Sequence, residues 1–296
     1  MRNIQLVIEY EGSRYDGWQK AVTTAKNAAS AKGGAIQEKI EEVLSKMENT
    51  PVELTGAIRT EAGVHAYRQV ANFHTESAKK AYEIKQYLNR YLPRDIAVLE
   101  VLEVNDRFHA AFNAKAFVFE YRITIGDVPS VFDIKYNYYC FKRPDLTKMK
   151  AAATKLTGTN DYKAFSDNKR MKKSTVRTIQ SVDIYGDEKE ITVTITGDDF
   201  WPNMVRNLVG TILDAGLGEI SPEDIPEIIA SGDRERAGRA VDPKGLLLAD
   251  VNYASDGKQG GKSSARITGR AFSFGKQGGL YGKTQNFGKV CCKLRK

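Results

Sequence analysis

The stretch GAIRTEAGVHAYRQV, residues 56–70, places Arg59, Glu61 and His65 in one short glycine-punctuated loop. A carboxylate in a tight loop, beside a glycine that lets backbone approach a ligand, can serve as nucleophile or general base. The same residues also fit a structural ion pair between Glu61 and either Arg59 or Arg206 of the later segment MVRN. On this segment alone both readings stand. His65 is expected to brace the loop, and the spacing of His65, His74 and His109 makes no metal triplet.

Regular elements must hold such a loop in place. Residues 4–10, IQLVIEY, alternate apolar and polar side chains as a strand does. AIQEKIEEVLSKM sets Ile36, Ile40, Val43, Leu44 and Met47 on one helical face. PVELTGAIRT is expected as the strand entering the opening loop and RQVANFHT as the strand leaving it. AYEIKQYLNRYL predicts a second amphipathic helix, and IAVLEVLEV and AFVFEYRITI predict strands. DLTKMKAAATKLTG predicts a helix capped by Asp145 and stopped at Gly158. SVDIYGDEKEITVTITG reads as a hairpin, and MVRNLVGTILDAG as a helix apolar enough all round to be central. SPEDIPEIIAS predicts a helix opened by Ser221 with Pro222 at its first position, and KGLLLADVNY a last strand. The pattern suits an α+β chain of two sheet-and-helix lobes with a cleft between them.

The chain has 296 residues, ample for a sizeable core. No apolar run approaches the ~20 residues of a membrane span. The start, MRNIQLVIEYEG, reads as a strand rather than a leader peptide. Cys140, Cys291 and Cys292 have no disulfide or metal spacing, which predicts a reducing, cytoplasmic setting. The net charge of +8 is unevenly placed. The segment 255–296 carries an excess of about nine positive charges, with Phe272, Phe274, Tyr281 and Phe287 interleaved among glycines. Cations bind phosphate and aromatic rings stack on bases, so this tail suits RNA; an untargeted solubilising extension is the alternative. Lys169, Arg170, Lys172 and Lys173 form a basic loop that can touch phosphate or simply be solvated. Trp18 and Trp201 are expected as packing groups.

YEGSRYDGWQ, GAIRTEAGVHAYRQVANF, RFHAAFNAKAFVFEYRI, DYKAFS, STVRTI, DDFWPNMVRNLVGTIL and VDPKGLLLADVNY occur in this order. Together, across residues 2–253, they resemble the TruA family of tRNA pseudouridine synthases. The resemblance implies detachment of uracil from its sugar, rotation, and reattachment through carbon, with no cofactor and no metal. The target nucleotide would be flipped out of its stack. It implies an essential aspartate at the position of Glu61, an arginine pairing with it at Arg206, and a base-stacking tyrosine at the position of Phe119. Thr60, Tyr121, Met204, Leu246 and Leu248 would wall the pocket. Arg59, His65 and Arg14 would meet RNA; composition alone, outside the resemblance, adds the basic loop and Arg266, Arg270, Lys276 and Lys283 of the tail to that set. The resemblance further suggests a homodimer.

Three positions depart from the family pattern: Glu61 for aspartate, Phe119 for tyrosine, and Ala111 for an RNA-contacting arginine. A carboxylate displaced by about 1 Å can cost ~10²-fold in rate. The expectation is therefore a pseudouridine-synthase-like α+β fold with lobes 1–105 and 106–254 flanking a central basic cleft, and a basic RNA-binding tail at 255–296. Its function is expected to be RNA binding with impaired or lost catalysis. The alternative is an active synthase that uses Glu61 as its carboxylate.

Overall fold

The structure is a computed structural model that describes residues 1–19, 33–167 and 174–254. Lys169, Arg170, Lys172, Lys173, the tail residues Arg266, Arg270, Lys276 and Lys283, and Cys291 and Cys292 lie outside the described residues.

The chain opens with strand β1 (Arg2–Tyr10), whose Ile4, Leu6, Ile8 and Tyr10 are buried. Helix α1 (Ile36–Glu48) buries the five apolar residues its spacing predicts, and Asn49 ends it in the left-handed region. The short strand β2 (Thr55–Gly56) and the long β3 (His65–Thr75) flank the Glu61 loop. The expected strand 51–60 shrinks to these two residues for a physical reason. The Val52 and Leu54 amides donate instead to the side chains of Ser45 and Glu41 on α1. Helix α2 (Ala81–Tyr91) and strand β4 (Ile96–Val104) complete the first half.

Strand β5 (Ala114–Ile125) is followed by β6 (Tyr138–Cys140), helix α3 (Leu146–Lys155) and β7 (Gly158–Asp161). Asp145 caps α3 by accepting from the Thr147 and Lys148 amides. The helix stops before Gly158, which begins β7. Strands β8 (Val176–Gly186) and β9 (Glu190–Gly197) form the expected hairpin. Helix α4 (Met204–Leu217) is buried along almost its whole surface. The next helix starts late. Residues 222–224 form a 3₁₀ turn, and α5 runs only Ile225–Ser231. Pro226 has no N–H to give the Pro222 carbonyl, so the α pattern cannot begin there. Strand β10 (Leu246–Tyr253) ends the described chain.

Eight strands lie in the order β4-β1-β3-β10-β5-β9-β8-β7, with β2 added on β3 and β6 on β5. The sheet is mixed. β10 runs parallel to β3, pairing Leu247 with His65, and antiparallel to β5, pairing Leu246 with Tyr121 and Leu248 with Phe119. The last strand therefore stitches the strands of residues 1–105 to those that follow. This seam brings the loop before β3 beside the start of β10. Among the described residues no helix is long and apolar enough to cross a membrane.

Candidate functional site

The Glu61 loop is held from below by the segment that follows β1. Thr60 is buried, and its hydroxyl lies 2.7 Å from the Tyr10 hydroxyl. Its carbonyl accepts from the Trp18 amide at 3.0 Å. Gly17 has φ +96°, and a β-carbon there would fall 2.4 Å from the Thr60 carbonyl oxygen. Only glycine allows that approach. Val64 donates back to the Glu61 carbonyl at 3.2 Å, closing the turn.

His65 anchors the far side. Its Nδ1 accepts from the Gly12 amide at 3.0 Å, so Nε2 carries the proton and donates to the carbonyls of Lys135 and Lys244, each at 3.1 Å. Burial pushes its pKa down. The neutral ring fits this geometry better than an ion pair with Glu11, whose carboxylate is 3.6 Å from Nδ1. Only 6% of the residue is exposed and both nitrogens are engaged. His65 therefore braces the loop, with both ring nitrogens engaged by backbone.

Glu61 is half-buried, and its Oε1 accepts from the Asn203 amide at 2.7 Å. Asn203 immediately precedes α4 and sits in the left-handed region at φ 63°. Arg206, one turn into α4, donates from Nη1 to Asn203 Oδ1 at 2.8 Å and from Nε to the Val241 carbonyl at 2.6 Å. The expected Glu61–Arg206 pair is thus indirect. Arg206 acts on Glu61 through space and through Asn203, and among the described residues no Glu61 ion pair closes within 4 Å. The reason is competition, since the guanidinium is committed to Val241 and Asn203. Burial raises the Glu61 pKa; the Asn203 amide and Arg206 oppose this, and the like charge of Asp167 adds to it. Arg59 is exposed and makes no ion pair with a described carboxylate.

A third residue ties this cluster to the rest of the second half. Asp167 accepts from Asn203 Nδ2 at 2.7 Å, Asn207 Nδ2 at 3.1 Å and Arg234 Nε at 2.9 Å. Arg234 also donates to Asn207 Oδ1 at 2.7 Å and to the Gly238 carbonyl at 2.9 Å. Asp167, Asn203, Asn207 and Arg234 were not singled out from sequence. Asn203 had a signal, as an asparagine just before a helix; the others meet only through tertiary contact.

The residues expected to wall a pocket are packed inside the protein. Met204, Leu246 and Leu248 are buried, and the buried Tyr121 donates its hydroxyl to the Asp242 carbonyl at 2.9 Å. Burial drives the Tyr121 pKa up, so the phenol stays neutral. Phe119 is buried with its ring edge-on to Phe200 at 5.4 Å. The position expected to stack on a base is thus packed against another ring of this chain. Ala111 is half-buried beside the exposed Phe112. Arg14 is exposed and forks onto Asp95 and the Tyr15 hydroxyl. Trp18 is buried as a packing group, whereas Trp201 is half-buried with the Arg177 guanidinium 4.4 Å above its ring. No group of three His, Cys, Asp or Glu among the described residues could hold a metal ion.

The mixed sheet and its helices make an α+β protein, with a loop carboxylate docked on a helix start at the seam of the sheet. A family model for tRNA pseudouridine synthase matches residues 6–113 and 152–254. The chain is 42% identical to tRNA pseudouridine synthase A of Bacillus sp. strain KSM-64 and 40% identical to that of Acetivibrio thermocellus. It is 38% identical to tRNA pseudouridine synthase A 2 of Bacillus cereus. Each alignment spans 253 residues, covering 86% of this chain and 100% of the relative. The chain belongs to the TruA family of tRNA pseudouridine synthases.

Proposed function

We propose that the chain binds tRNA in the cytoplasm and isomerises uridine to pseudouridine slowly, with Glu61 as the reacting carboxylate. In the reaction the bond from the sugar to the base nitrogen breaks and a bond from the sugar to C5 of uracil forms. The C5 proton leaves and the freed nitrogen gains one. The observation that carries the reading is the 2.7 Å bond from the Asn203 amide to Glu61 Oε1. It keeps a charge-bearing group at the site, which favours chemistry. It also fixes that group to the α4 terminus at the reach of a glutamate, which favours a rate below that of an aspartate.

Release of tritium from transcript tRNA carrying [5-³H]uridine tests this directly. Glu61→Ala is expected to abolish release, and Glu61→Asp to raise the rate by ~10-fold or more. A parent protein as fast as Glu61→Asp would remove the case for impairment. Silence from both, with tRNA still bound, would make the chain an RNA-binding member without isomerase activity.

We also propose that two copies associate. Val128, Val131, Phe132 and Phe141 are each at least 74% exposed in one segment between β5 and α3. Large exposed apolar residues gathered in one stretch of chain are candidates for an interaction surface. Light scattering is expected to show a dimer that Phe132→Asp weakens.

A further inference from the structure

Asn203 is the link between the carboxylate and the guanidinium of the site, and its own placement needs support. Asparagine tolerates the left-handed region better than most residues, so the backbone conformation is accessible here and the side-chain contacts select it. Here both ends of the Asn203 side chain are tied. Oδ1 accepts from Arg206, and Nδ2 donates to Asp167 Oδ2 at 2.7 Å. Asp167 is in turn fixed by Asn207 from α4 and by Arg234. Arg234 is fastened to the Gly238 carbonyl, three residues before Val241, whose carbonyl holds Arg206. The chain of contacts thus runs from Arg234 through Asp167 and Asn203 to both Glu61 and Arg206.

We propose that Asp167 is a positioning residue for the reaction: it holds Asn203 so that the Asn203 amide meets the Glu61 carboxylate and its amide oxygen turns the Arg206 guanidinium toward the site. This rests on the reading of Glu61 as the reacting carboxylate. Among the described residues Asp167 has no hydrogen bond to the loop that carries Glu61; beside the repulsion between the two carboxylates, it reaches Glu61 through Asn203. Among the described residues three charged or titratable groups face Glu61: Arg206 from α4, Asp167 from the segment between β7 and β8, and Tyr10 from β1.

Two measurements on the full chain test the proposal. Steady-state tritium release should show kcat down by ~10-fold or more in Asp167→Ala while KM for tRNA stays within about twofold, the pattern of lost positioning rather than lost binding. The Asn203 amide proton, followed by NMR, should shift as Glu61 titrates in the parent protein and lose that response in Asp167→Ala. Asp167→Asn, which keeps an acceptor for Asn203 Nδ2, should restore the amide response; it also decides the matter should Asp167→Ala not fold. An unchanged kcat, a loss confined to KM, or an Asn203 amide that still tracks Glu61 in Asp167→Ala would overturn the proposal. If the parent releases no tritium, it is the catalytic reading of Glu61 that fails, and the amide titration still scores Asp167.

Discussion

At the residue scale, Glu61 carries one prediction beyond rate. Its pKa is raised in the folded protein, chiefly by burial. The folded state then binds the proton more tightly than the unfolded chain, so stability is fullest at low pH and falls as pH rises through the folded value. Glu61→Gln keeps an oxygen for the Asn203 amide and removes the charge. It is expected to raise Tm near pH ~7 and to leave it unchanged near pH ~4, where the parent is protonated. A gain of equal size at both ends would point to packing instead. His65 behaves in the opposite sense. Its pKa is lowered, again chiefly by burial. The stability it contributes is present above its unfolded value of about 6.5 and is lost as pH falls through the folded one. Protonation removes the acceptor for the Gly12 amide, a bond whose loss costs about 1–3 kcal/mol. Scanning calorimetry should show the parent losing more Tm between pH ~7.5 and ~5 than His65→Asn, which cannot titrate there.

At the element scale, α4 does most of the positioning, and it does so by backbone contact. A β-carbon on Gly210 would lie 1.7 Å from the Arg239 carbonyl oxygen. That closeness sets the segment 239–241 against the helix and delivers the Val241 carbonyl to Arg206. Gly210→Ala must push the two apart. Overpacking of this kind costs about 1–3 kcal/mol, and more where backbone is the obstacle. The expected result is a Tm lower by several degrees together with slower tritium release. Activity at the parent level in a destabilised variant would show that the Arg206–Val241 bond is dispensable.

At the scale of the whole molecule, the described residues through Ala254 form one compact unit, and the family match ends at the same place. The chain beyond carries the cationic excess, so its removal tests charge without dismantling the sheet. Counterion release makes each phosphate contact worth about 0.9 in the slope of log affinity against log salt. Truncation after residue 254 is expected to weaken tRNA binding at low salt and flatten that slope by several such increments. A slope identical to that of the full chain would leave the tail without an electrostatic role.

Local pattern alone settled a good deal. Apolar periodicity placed α1, α2, β5 and the buried α4, because a 3.6- or 2-residue repeat is written in neighbouring positions. Asp145 was legible as a cap for the same reason, since its partners lie two and three residues away. Strands β6 and β7 left no readable repeat, being three and four residues long. The motif order carried the family, and with it the positions of Glu61 and Arg206. What tertiary structure alone decided was how those two meet. Arg206 turned to Val241 and Asn203, Phe119 packed against Phe200, and Asp167 became a tether for a residue 36 positions away. A guanidinium, a ring or a carboxylate has several partners of the right chemistry along a chain. Which one it takes depends on distances that exist only once β10 has joined the two halves of the sheet.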